Sequence, residues 1–178
     1  MTNVVFIQGG GDGAHAEDAE LVASLSRELG FQVAYPLMPD EGDPDEAAWL
    51  PAISAAIESA DIVVGHSIGG YLLLAQLALE CPPSIRTVAI IAAPFPGGDP
   101  DWTFDGFDLP EGLEDLEPEV FLYASEDDDV VPFAHRDLWA GAMPGAKVRT
   151  TTGGHQLGDD LTAVALDLQD AARSSAAS

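Results

Sequence analysis

Residues 61–70 read DIVVGHSIGG, in which an apolar, β-branched run leads into Ser67, flanked at −2 and +2 by Gly65 and Gly69. An apolar helical pattern begins at Ile68. A serine hydroxyl attacks a carbonyl only when its surroundings activate it. The G-x-S-x-G turn between a strand and a helix lifts such a hydroxyl above the sheet edge. Side chains two residues either side of the serine would collide across so sharp a turn, which asks for glycine at both places. The helix that starts there also turns the positive end of its dipole toward any negative charge that develops.

An attacking serine needs a base, and the base needs an acid to orient it. In strand–elbow–helix proteins the chain order is serine, acid, histidine. Four histidines are present. His15 precedes the elbow, His66 adjoins the serine with its side chain expected to point away, and His135 lies early in a helical pattern. His155, in TTGGHQLGDD, follows the last strand-like run and is the expected base. The acid should sit in VFLYASEDDDVVPF, which offers Glu126, Asp127, Asp128 and Asp129. Asp128 stands four residues before Pro132, where Val131 can pack inward while the carboxylate turns toward the histidine loop. It is the expected acid, with Asp127 and Asp129 as the alternatives.

These groups need a scaffold that brings strand ends together. Strand-like runs occur at Val4–Gln8, Gln32–Tyr35, Ile62–Gly65, Val88–Ala92, Val120–Tyr123 and Lys147–Thr151. Helical patterns fall between them, at about 16–29, 46–59, 68–79, 133–142 and 161–173. The strands are short and continuously apolar, as in a sheet covered on both faces. The alternation predicts a single-domain α/β fold over residues 1–173, with about six mostly parallel strands, helices on both faces and no separate cap domain. Residues 174–178 read as a frayed tail. One long Pro/Gly-rich connection, residues 94–118, carries Trp102, Phe104 and Phe107. With the 36–46 segment it is expected to wall a substrate pocket, the three aromatics serving either as acyl pocket or as anchors of the loop.

Composition narrows the partners. The chain has 178 residues, 31 acidic against 6 basic, for a net charge of −25. Such a surface repels nucleic-acid phosphates and anionic membranes. No apolar run approaches the roughly 20 residues of a membrane span. The chain opens into a strand-like run with no leader pattern, and a single cysteine, Cys81, allows no internal disulfide; both point to the cytoplasm. Cys81 reads as an inert apolar residue. The scattered acids also fit a protein adapted to high salt, where ions screen self-repulsion.

Taken in order on one α/β chain, G-H-S-I-G-G, S-E-D-D-D-V-V-P-F and G-G-H-Q resemble the α/β-hydrolase superfamily. The small size resembles its compact YdeN-like branch, related to the retinoblastoma-binding-protein-type serine hydrolases. The resemblance spans essentially the whole chain and implies Ser67 as nucleophile, Asp128 as acid and His155 as base. It also implies that the family's first two strands are missing. The loop after the first strand here, Gln8-Gly9-Gly10, would then supply one oxyanion-binding amide. That donor is Gly10, with Gly11 the alternative and a pocket residue in its own right; Ile68 N–H is the second. The segment also fits a dinucleotide fingerprint, Gly9-x-Gly11-x-x-Ala14. However, no carboxylate follows the second strand-like run until Asp40, where the ribose would need one. No His/Cys cluster has metal-ligand spacing, and 127–129 is not a calcium loop.

The expectation is a cofactor-free serine hydrolase acting on carboxylic esters or related small acyl substrates through an acyl-enzyme. Two alternatives keep the same residues: an amidase or aminopeptidase, and a non-catalytic binding module on the same fold. Oligomeric state is not legible in the sequence.

Overall fold

The computed structural model describes residues 2–99 and 106–176. Among them, five strands form one parallel sheet: β1 (Val4–Ile7), β2 (Ile62–His66), β3 (Thr87–Ile91), β4 (Glu119–Ser125) and β5 (Lys147–Thr151). Their spatial order is their chain order. The helices are α1 (Ala14–Leu29), α2 (Glu46–Ile57), α3 (Ile68–Leu79), α4 (His135–Ala142) and α5 (Thr162–Ala176).

Strand alternation sorts the core into two layers. Val5, Ile7, Val63, Val88, Ile90, Val120 and Leu122 pack against Trp49 and Ile53 of α2, Leu72 and Leu73 of α3, and Trp139 of α4. Their neighbours Val4, Phe6, Val64, Ala89, Phe121 and Tyr123 face Leu21 and Leu25 of α1 and Val164 and Leu168 of α5. Edge strand β5 is less buried. There Arg149 grips Asp167 of α5 with two hydrogen bonds, and the Tyr123 hydroxyl donates to the same carboxylate.

The strand expected at Gln32–Tyr35 shrinks to an isolated bridge. Ala34 N–H donates to Val4 and Phe6 N–H to Ala34, and pairing ends there. The next parallel rung would need an N–H from residue 36, which is proline and has none. At the other terminus, α5 carries the chain as helix to Ala176, three residues past the expected end of the domain. Trp102 and Phe104 lie outside the described residues. Phe107 packs edge-on against Tyr71 of α3, with ring centroids 5.0 Å apart, and Tyr71 donates its hydroxyl hydrogen to the Asp108 carbonyl.

Candidate active site

All five strands point their carboxyl ends the same way, and the loops that leave them converge there, as expected of a parallel sheet. Ser67 follows β2 directly with φ 54° and ψ −130°, a strained conformation for a residue with a side chain. Its N–H is fixed by the Ile91 carbonyl at the end of β3. The two flanking glycines answer close approaches. A Cβ at Gly65 would lie 2.7 Å from Gly70 Cα, and one at Gly69 only 1.8 Å from the Gln8 carbonyl oxygen. The elbow is thus wedged against both its own helix and the loop after β1.

His155 comes to the serine from the loop after β5. Its Nε2 lies 3.0 Å from Ser67 Oγ and its Nδ1 2.9 Å from Asp128 Oδ2. The Asp128 side chain is almost fully buried. Its other oxygen accepts the N–H groups of Val130 and Val131 at 2.8 and 2.9 Å. Burial alone would raise this carboxyl's pKa, but the His155 hydrogen bond and the two amides outweigh it and hold it below the usual range. Asp127 does something else: it accepts the N–H groups of Gly153 and Gly154 and ties the histidine loop to the loop after β4. Asp129 is exposed at the rim.

The loop after β1 separates its glycines by what their amides do. Gly9 N–H donates to Asp18 at 2.7 Å and Gly11 N–H to the Glu41 carbonyl at 2.6 Å. Gly10 N–H and Ile68 N–H have no acceptor among the described residues, and the two residues adjoin: a Cβ at Gly10 would lie 2.7 Å from Ile68 Cγ2. The amide of Gly11 is therefore spent, while those of Gly10 and Ile68 are open to a ligand oxygen. Gln8, fully buried, takes Met38 N–H on its side-chain oxygen and donates to Glu41, bracing this loop against the 36–41 segment. Glu41 also accepts the N–H groups of Gly13 and His15, capping α1 from a distance.

The groups face an open cleft of about 460 Å³, lined among others by Gly9, Gly10, Ser67, His155 and the carboxylates of Glu17 and Asp129. No lysine or arginine lines it. Phe107 and Gly11 do not line it either; Phe107 packs on the buried Tyr71 of α3.

Two residues were missed in the sequence. Asp18 is buried on α1, and its signal was there: helical spacing from Ala14 through Asp18 to Leu21 and Leu25 puts a carboxylate in an apolar stripe. Glu41 sits in a loop and left no such signal. The remaining histidines are occupied elsewhere: His15 stacks on Tyr35, and His135 Nδ1 accepts Phe95 N–H. No group of metal-binding side chains forms among the described residues. No described helix is long and apolar enough to cross a membrane.

Residues 32–160 match the sequence profile of the family described as Serine hydrolase. No curated protein matches the chain in sequence. Among solved structures, the ydeN gene product of B. subtilis superposes with a TM-score of 0.73 at 22% identity, covering 96% of this chain and 98% of that one. The esterase domain of a Rhodothermus marinus protein gives 0.69 at 19%, covering 97% and 86%. Est1E of Butyrivibrio proteoclasticus, solved with ferulic acid bound, gives 0.71 at 17%, covering 100% and 90%.

Proposed function

The chain belongs to the serine hydrolase family, and from the arrangement around Ser67 we propose that it cleaves small carboxylic esters through an acyl-enzyme. One observation carries this reading: an unbroken line of hydrogen-bond distances, 3.0 Å from Ser67 Oγ to His155 Nε2 and 2.9 Å from His155 Nδ1 to Asp128. Ser67 Oγ attacks the carbonyl carbon while its proton passes to His155 Nε2. Asp128 accepts the Nδ1–H, fixes the tautomer and offsets the imidazolium charge. The negative oxygen of the tetrahedral intermediate takes the free N–H groups of Gly10 and Ile68, the latter at the amino end of α3. His155 then returns the proton to the departing alkoxide, which leaves as an alcohol. Water repeats the sequence on the acyl-enzyme and frees Ser67. The residues named complete every proton transfer, so no cofactor enters the scheme.

Ester rather than amide preference draws support from the esterase domain among the structural relatives. The carboxylates of Glu17 and Asp129 and the absence of cations in the lining favour neutral or cationic substrates over anionic acyl carriers. The test is a panel of short p-nitrophenyl esters and aminoacyl p-nitroanilides, with wild type, Ser67→Ala and His155→Ala. Turnover of esters above anilides, lost in both variants, is expected. Preference for the anilides would make it an amidase, and no turnover of either by a folded protein would point to a binding module.

A further inference from the structure

The histidine beside the nucleophile takes no part in the scheme above, yet it is buried and bound at both ring nitrogens. His66 Nδ1 lies 2.9 Å from Asp18 Oδ2, and its Nε2 lies 2.9 Å from the backbone carbonyl of His155. Both side chains of the His66–Asp18 pair are only 2% exposed. A carbonyl oxygen only accepts, so Nε2 must carry a hydrogen. The Asp18 carboxylate already accepts Gly9 N–H on Oδ2 at 2.7 Å and Gln156 Nε2–H on Oδ1 at 3.1 Å. With these two donors on it the carboxylate is ionised and accepts only, so the 2.9 Å contact takes its hydrogen from Nδ1.

We propose that His66 is a positioning residue held as a buried imidazolium, clamped between the Asp18 carboxylate and the His155 carbonyl so that the three site loops keep one geometry. The clamp joins the loop after β1 through Gly9, the elbow through His66 itself, and the loop after β5 through His155 and Gln156. Gly9 immediately precedes the oxyanion donor Gly10, and His155 carries the base. The catalytic consequence rests on the reading of Ser67 and His155 given above; the proton state does not.

The surroundings agree. The ionisable groups facing His66 are Asp18 on α1, His155 after β5 and Asp128 after β4. Burial works against its charge. The hydrogen bond and charge of Asp18, then the His155 carbonyl and Asp128, outweigh burial and hold the imidazole above its ordinary value. Asp18 moves the other way: burial raises it, while His66, Gly9 and Gln156 pull it below the carboxylate range. Raising the pH until His66 loses a proton breaks one of its two bonds and releases a site loop. A triad needing only a deprotonated base would instead hold its rate at high pH.

The test has two readouts. Histidine side-chain nitrogen NMR on the full chain, assigned by His66→Gln, reads the proton state without any turnover. Most His66 side chains should carry hydrogen on both nitrogens at about pH 6.5, where an ordinary imidazole is only half protonated; a bare nitrogen in the majority species there would overturn the proposal. The second readout is the pH dependence of fluorophosphonate labelling of Ser67, in wild type and Asp18→Asn. Asparagine keeps the shape of Asp18, and Gln156 can turn its amide to suit it, but the charge is gone. The alkaline fall in labelling rate should move down by about one pH unit or more in Asp18→Asn. An unmoved alkaline limb, in a variant that melts as wild type, would also overturn the positioning role. A fault in the reading of Ser67 would show separately, as absence of labelling at every pH beside an intact nitrogen spectrum.

Discussion

Adding one methyl group at Gly10 tests the oxyanion assignment by steric means alone. Its φ lies outside the left-handed region, so alanine meets no backbone strain there. The new Cβ would stand 2.7 Å from Ile68 Cγ2 and 2.7 Å from Pro44 Cγ. Neither neighbour swings aside easily: one methyl is on a β-branched side chain at the start of a helix, the other atom is in a proline ring. Reaching even a tight 3.4 Å requires the neighbours to part by about 0.7 Å on each side. That displacement separates the backbones of the two proposed donors. Losing one well-placed donor costs about 3–4 kcal/mol of transition-state stabilisation, so kcat/KM should fall roughly 10²–10³-fold. Overpacking should cost about 1–3 kcal/mol of stability, lowering Tm by about 2–4 °C per kcal/mol in a chain of this size. The assay is p-nitrophenyl ester turnover beside thermal melting of Gly10→Ala. A folded variant that keeps its activity within about threefold, less than 1 kcal/mol, would refute the donor role of Gly10.

Asp128→Asn should lower kcat by about 10⁴, because the imidazole loses the acceptor that fixes its tautomer. Asp127→Ala removes only the acceptor for two loop amides, worth about 1 kcal/mol and so less than tenfold in kcat/KM; equal losses in the two variants would contradict the choice of acid. Stability should depend on pH from both sides. Asp18 and Asp128 sit below their ordinary values, so their contribution is full above the unfolded carboxylate value of about 3.9 and is lost as pH falls through the folded values. His66 sits above its ordinary value, so its contribution is full below about pH 6.5 and is lost as pH rises through the folded value. Urea midpoints at constant salt should therefore peak in between, and a midpoint at pH 9 above that at pH 6 would contradict the second half. With a net charge of −25, Tm should rise from low to molar KCl; a flat curve would remove self-repulsion as a factor.

Much of this site could be read from the sequence because its parts lie beside strong local signals. Ser67 sits between two glycines at a strand end, and His155 follows the last strand after two more, so periodicity and turn chemistry place both. Asp128 was harder: four consecutive acids share one loop, and only their contacts separate the residue that meets the imidazole from the one that ties the loops. The run at 32–35 misled because its residue types suit a strand, while the missing N–H of Pro36 stops the ladder after one rung. Phe107 stayed open in the sequence because an aromatic in a long loop fits a pocket and an anchor alike, and only its packing on Tyr71 separates the two. The Asp18–His66 clamp spans 48 residues of sequence and is invisible to any local pattern, although an acid in the apolar stripe of α1 was a sign that something buried had to meet it.

The most direct test of the central claim is fluorophosphonate labelling read by intact mass, on wild type and Ser67→Ala side by side, in low and molar KCl. A single adduct on wild type that is absent from the variant is the predicted result, and it would establish Ser67 as an activated nucleophile. A folded wild-type protein that takes no adduct in either salt, or takes it equally in Ser67→Ala, would contradict the account.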